Sequence, residues 1–123
     1  MSIVIHLPYD KPPLSMNSRD HWRKKASVTA ELRWLVASKV RALQLTPVRH
    51  VTLELHYVPR DARRRDEDNL VATMKPCCDA IVDAGLVKDD APQWMTKRMP
   101  IIDPPDPANP HLYLVITTGK ATN

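Results

Sequence analysis

Acidic side chains gather where a run of arginines gives way to a helix-forming segment. Asp66 and Asp68 flank Glu67 in the stretch Arg63-Arg64-Arg65-Asp66-Glu67-Asp68-Asn69. In an extended chain side chains alternate with period two, so Asp66 and Asp68 would project to the same side. Two carboxylates about 4 Å apart repel by about 4 kcal/mol at an effective dielectric of 20. Such a pair either raises one pKa or binds a cation. Asp89 and Asp90 follow the next helical segment and, folded back, would bring three or four carboxylates together. All-oxygen donors suit Mg2+ or Mn2+, not zinc. The competing reading is a solvated acidic turn in which Asp68 caps the following helix. A calcium-binding EF-hand is excluded, because Leu70 and Val71 stand where that loop needs a ligand and a glycine.

Arg60, Arg63, Arg64 and Arg65 lie immediately upstream. Arginines beside an acidic pair suit a cation held against a phosphate backbone, each guanidinium gripping a neighbouring phosphate. They could equally neutralise nearby aspartates. Downstream, Lys75 and Asp79 fall about 20° either side of Asp68 at 100° per residue, so one helix would carry all three on one stripe. The bland reading of Lys75 is an exposed helical lysine paired with Asp79 at i+4. Pro76 interrupts this stretch and invites a kink or a fresh helix start.

The elements that must position these groups follow from hydrophobic periodicity. Residues 3–7 read as a strand ended by Pro8. A proline-rich loop leads to Asn17 and Ser18, either of which could cap a helix beginning near Asp20. Between His21 and Leu43 there is no proline or glycine, and Leu32, Val36, Val40 and Leu43 recur at helical spacing, with Pro47 as the stop. Residues 50–58 alternate, with Val51, Leu53, Leu55 and Tyr57 on one face and His50, Thr52, Glu54 and His56 on the other. A second helix carries Leu70, Met74, Cys77, Cys78, Ile81 and Ala84 and ends at Gly85. Residues 94–102 predict a strand, 103–110 a stiff proline-rich excursion, and 111–118 a closing strand. The order β-α-β-α-β-β predicts an α+β fold, a small mixed sheet with helices on one face.

The chain has 123 residues, one domain's worth, and 1–123 is read as a single domain. With two glycines against twelve prolines it cannot build a glycine-rich phosphate cradle, which excludes Rossmann and P-loop nucleotide enzymes and any nucleotide cofactor of that kind. The net charge of +4 suits a polyanionic partner. No apolar run approaches the roughly 18 residues of a membrane span, so no membrane association is expected. The start of the chain lacks the features of a signal peptide. The only cysteines, Cys77 and Cys78, are adjacent and cannot readily pair, which points to a reduced, cytoplasmic setting without structural zinc.

Taken together, Arg-Arg-Arg-Asp-Glu-Asp-Asn-Leu, then Lys-Pro-x-x-Asp-Ala, then Ala-Gly-Leu-Val-x-Asp-Asp resembles the RusA family of Holliday-junction resolvases. Pro-Leu-Ser-Met-Asn-Ser-Arg-Asp-His-Trp near the start and Lys97-Arg98-Met99-Pro100 extend the likeness over most of the chain. The resemblance implies a small, dimeric, Mg2+- or Mn2+-dependent endonuclease, often phage-encoded, that nicks four-way DNA junctions symmetrically. It implies Asp66, Asp68 and Asp90 as catalytic metal ligands, with Asp89 and Asp79 as further candidates, and Lys75 as the basic active-site residue. Lys75 departs from the family pattern by standing about one helical turn later. A catalytically inactive binder of branched DNA is the alternative, and a small phage structural protein with a fortuitous acidic loop a third.

Around this core of residues, Asn17, Arg19, Arg23 and Lys24 form a polar, basic stretch that could join the arginines of 60–65 in facing DNA. The five histidines show no ligand spacing. Cys77 and Cys78 read as packing residues. Trp22, Trp34 and Trp94 read as core or dimer-interface residues.

Overall fold

The computed structural model describes residues 1–15 and 21–119. Its elements are β1 (Ser2–Leu7), α1 (Trp22–Ala42), β2 (Val51–Val58), a 3-10 turn (Glu67–Leu70), α2 (Val71–Asp83), β3 (Met95–Lys97), β4 (Ile101–Ile102) and β5 (His111–Thr118). The α+β class and the small mixed sheet are as the periodicity predicts. β5 lies between β1 and β2, antiparallel to both, while β3 and β4 run parallel to β2 on its other edge.

The alternation in β2 sorts the sheet into two faces. Val51, Leu53, Leu55 and Tyr57 are buried, as are Leu112, Leu114 and Ile116 of β5 and Ile5 and Leu7 of β1. They form one core with Leu32, Val36, Ala37 and Val40 of α1 and Met74, Cys77, Cys78, Ala80 and Ile81 of α2. The helices pack on each other, and Arg33 of α1 clamps Asp83 of α2 through two charged hydrogen bonds. Leu43, expected on the apolar stripe, lies beyond the last turn and is largely exposed. Trp22 and Trp34 correct the core reading: they are 67% and 66% exposed. Trp94 packs against the core, with the Lys88 ammonium 5.4 Å from its ring centre.

Several ends are set by chemistry other than the expected punctuation. His21, not Asn17 or Ser18, caps α1: its Nδ1 accepts from Arg23 N–H at 3.2 Å. Asn17, Ser18, Arg19 and Asp20 fall outside the described residues. Gln44, at φ +52°, ends α1 before Pro47 is reached. Gly85 closes α2 as expected. Its N–H donates to the Val82 carbonyl and that of Leu86 to Ile81, a paired motif that needs the left-handed φ of +78° at Gly85. α2 passes through Pro76 without ending there.

The strand expected over 94–102 divides into β3 and β4. Between them β2 advances from Leu53 to His56 while the edge advances from Lys97 to Ile101, one residue more. Pro100 lies in this bulge, where its missing N–H costs the ladder nothing. The backbone N–H groups of Asp103 and Asp106 then donate to the Tyr57 and Pro59 carbonyls at 2.8 Å each, so the proline-rich excursion stays anchored along β2.

Candidate active site at the acidic turn

β2 delivers the chain into the arginine-rich segment, and a carboxylate not singled out from the sequence organises it. Asp61 takes charged contacts from three arginines: Arg65 Nη2 at 2.9 Å, Arg63 Nη2 at 3.2 Å and Arg60 Nε at 3.6 Å. The Arg63 N–H also donates to Asp61 Oδ1, and Arg65 Nη1 caps the carbonyls of Asp61 and Arg63. The Arg63 backbone bond, then the Arg65 side chain, hold the Asp61 carboxyl below its ordinary value. The signal was Asp at two and four residues before an arginine, an ordinary loop spacing. Among the described residues Arg64 makes no ion pair. The reading in which arginines neutralise an aspartate therefore holds for Arg60, Arg63 and Arg65, leaving Arg64 as the uncompensated cation.

Asp66 is extended, at φ −99° and ψ 130°, and immediately precedes the 3-10 turn that contains Glu67 and Asp68. The period-two argument for Asp66 and Asp68 therefore fails at Asp68, which is already helical. The single α-helical stripe through Asp68, Lys75 and Asp79 fails for the same reason, since a 3-10 turn has a tighter pitch. Neither end of the turn is capped by a side chain, so Asp68 is not a cap. The side chains of Asp66 and Asp68 are exposed and, among the described residues, engage no hydrogen-bond or ion-pair partner.

Lys75 and Asp79 meet on α2 as expected, with Nζ 3.1 Å from Asp79 Oδ1. Lys75 also lies 3.5 Å from Asp90 Oδ2, and Lys97 of β3 donates to the same oxygen at 3.3 Å. The Lys97 bond, then the Lys75 charge, hold the Asp90 carboxyl below its usual value. The Asp79 bond first, then the charge of Asp90, raise the Lys75 ammonium. Asp89 turns its Oδ1 back to the Asp90 N–H at 2.8 Å. The structure thus joins Lys75, Asp79 and Asp90 in one network and adds Lys97, a residue noted in sequence without a role. Asp66 and Asp68 stand outside it. Among the described residues no three His, Cys, Asp or Glu side chains are gathered as a group able to hold one ion.

Asp66 instead borders an open cavity of about 460 Å³ shared with Lys11, Tyr57, Arg64, Arg65 and Asn69. The loop that carries Lys11 is fixed from below. Thr73 of α2, fully buried, donates its hydroxyl to the Leu14 carbonyl at 2.7 Å and accepts from the Leu14 N–H at 3.3 Å. Of the remaining basic candidates, Arg23 lies 5.3 Å over the Trp22 ring and Lys24 is not free of partners. Asn17 and Arg19 lie outside the described residues.

His50 and the two cysteines take structural places. His50 is buried, bonded to the Gln93 carbonyl at 3.1 Å and Thr96 Oγ1 at 2.8 Å. Cys77 and Cys78 are buried and free, and burial pushes the Cys78 thiol up to about 11, far from a reactive thiolate. No helix among the described residues is long and apolar enough to cross a membrane. No protein-family model matches the chain, and no curated protein matches it either.

Proposed function

We propose that the chain is a metal-dependent endonuclease that acts on branched DNA, resolving four-way junctions by paired nicks as a homodimer. The observation that carries this reading is one juxtaposition: Asp66 and Asp68, two carboxylates without a partner among the described residues, directly follow an arginine-rich turn whose Arg64 makes no ion pair there. That arrangement suits a phosphate backbone brought against an acidic turn. The resemblance of the surrounding motifs to RusA resolvases supports it. A four-way junction has approximate two-fold symmetry and two strands to cut, which matches a two-fold dimer. Adjacent free thiols suit a reducing compartment, so the reading includes a cytoplasmic location.

The donors Asp66, Asp68 and Asp90 suit Mg2+ or Mn2+ in kind, and these residues would hold it. When bound, such an ion supplies Lewis-acid polarisation of a phosphoryl oxygen and an acidified water. In the single chain, among the described residues, these three carboxylates do not come together as one cage. Arg64 binds and orients a phosphate, and Lys75 and Lys97 offer fixed positive charge beside Asp90.

A specific observation favours a second reading, a branched-DNA binder without cleavage. Both Lys75 and Lys97 already occupy the Asp90 carboxylate. A nicking assay on a synthetic four-way junction with Mg2+, Mn2+ or EDTA, run beside a mobility-shift assay, separates the two. Paired nicks with either ion and none in EDTA support the nuclease. Tight binding without nicks under every condition supports the binder. Equal affinity for junction and linear duplex overturns both.

A further inference from the structure

The cavity beside Asp66 has a composition that neither an acidic metal site nor a general phosphate-binding surface requires. Its lining mixes the apolar Pro12, Leu70, Tyr57 and Ile102 with the cationic Lys11, Arg64 and Arg65 and the carboxylate of Asp66. Lys11 and Arg64 make no ion pair among the described residues, so both charges are open to an anionic ligand. Its volume of about 460 Å³ lies within the range of small-molecule sites and is far too small for a duplex arm. Apolar and cationic side chains around one opening suit a nucleotide, which pairs an apolar base with an anionic phosphate.

A second cavity of about 310 Å³ shares Lys11, Tyr57 and Arg65 with the first and adds Arg60 and Arg63. The two compartments therefore adjoin, and the second carries arginines whose charge is partly compensated by Asp61, with Asp10 also in its lining. A free mononucleotide would need only the first. A strand entering the first would lay its next phosphate towards the second.

We infer that this pair of compartments is a binding site for an unpaired nucleotide of single-stranded DNA, seating one base against Pro12, Leu70 and Ile102 and its neighbouring phosphates on Lys11 and Arg64. The inference rests on the proposed action on branched DNA and adds to it: the site takes a base unstacked from the branch point, next to the acidic turn. Asp66 borders the same cavity, so the phosphate flanking the seated base lies beside that carboxylate. Thr73 holds the Lys11 side of the cavity in place through Leu14.

The test compares a decamer of thymidylate with a decamer of abasic residues of equal charge, both titrated against the full chain at fixed salt, with a four-way junction titrated in parallel. The base-bearing decamer is expected to bind about tenfold more tightly, the scale of one base stacked on a protein surface. Ile102→Trp, which crowds the apolar lining, is expected to remove that preference while leaving the abasic decamer's affinity unchanged. Lys11→Ala is expected to weaken both decamers equally. Equal binding of the two decamers by a chain that binds the junction overturns the inference and leaves the proposed function standing. A base preference abolished by Ile102→Trp, without preference for the junction over linear duplex, supports the nucleotide site and overturns the action on branched DNA. Persistence of the full preference in a folded Ile102→Trp variant overturns the site.

Discussion

Lys75 and Asp90, fifteen residues apart in sequence, meet with the lysine ammonium 3.5 Å from the Asp90 carboxylate. A lysine that served only its helix neighbour Asp79 would have no reason to reach a carboxylate contributed by the following loop. The exposed i,i+4 pair with Asp79 is worth only about 0.3–0.5 kcal/mol. If Lys75 meets the reacting phosphate, Lys75→Ala should lower single-turnover nicking by about 10²–10³ with junction binding little changed. A near-normal rate, accompanied only by a small loss of stability, would reduce Lys75 to surface pairing.

Asp68 offers a complementary expectation. Its carboxylate has no protein partner among the described residues, so neutralising it breaks no internal contact. Asp68→Asn should therefore leave the melting temperature unchanged, abolish Mg2+-dependent nicking, and hold or strengthen junction binding by removing a charge that repels phosphate. Undiminished cleavage by this variant would remove Asp68 from the metal site.

What the sequence made legible was what depends on local periodicity. The alternation of 51–57, the apolar stripes of both helices and the glycine closing α2 needed only neighbours along the chain. What it hid depends on groups that meet through the fold. Thr73 reads as an ordinary helical threonine until Leu14 arrives beside it. Lys97 acquires a role only because the parallel β3 returns beside α2. The geometry of the acidic pair is hidden for a local reason: an extended or α-helical backbone gives simple side-chain geometry, and the 3-10 turn at 67–70 is neither.

The arginine run makes a prediction that distinguishes its members. Arg63 and Arg65 are committed to Asp61, whereas Arg64 is not. Arg64→Ala alone should lower the magnitude of the slope of log K against log salt by up to about 0.9 on duplex DNA, the value for one lost phosphate contact. Arg63→Ala should lower it less, because its charge is partly compensated. An unchanged slope in Arg64→Ala would assign the whole run to internal charge balance.

Thr73 links the loop of Lys11 to α2 through both polar groups of Leu14. Thr73→Val conserves shape but strands a buried N–H and a buried carbonyl. The expected cost is about 1–3 kcal/mol, read as a lower midpoint in urea unfolding. Thr73→Ser keeps the hydroxyl and should recover most of it. An unaltered midpoint in Thr73→Val would mean that the latch contributes no net stability.

The sheet face turned away from the helices holds a pH-sensitive group. His56 Nε2 lies 2.6 Å from Glu54 Oε1 and Nδ1 lies 3.0 Å from Asp103 Oδ1, while its ring stacks on Tyr113 at 4.6 Å. Both partners are carboxylates, so the protonated ring, in which both nitrogens donate, is the form they favour. Burial lowers the His56 pKa, but the bonds to Asp103 and Glu54 outweigh it and leave the imidazole above its ordinary value. A folded pKa above the unfolded one favours folding below the unfolded value near 6.5, and that contribution is lost as pH rises through the folded value. Tyr113 adds a change of the same sign at higher pH. Burial, then its 2.6 Å hydrogen bond to Asp103, push its phenol up to about 12, so its contribution fades only above about pH 10. Melting temperatures of the chain and of His56→Asn, measured from about pH 5.5 to about pH 8.5, should therefore converge as pH rises. Parallel curves across that range would show that the charge of His56 does not stabilise the fold.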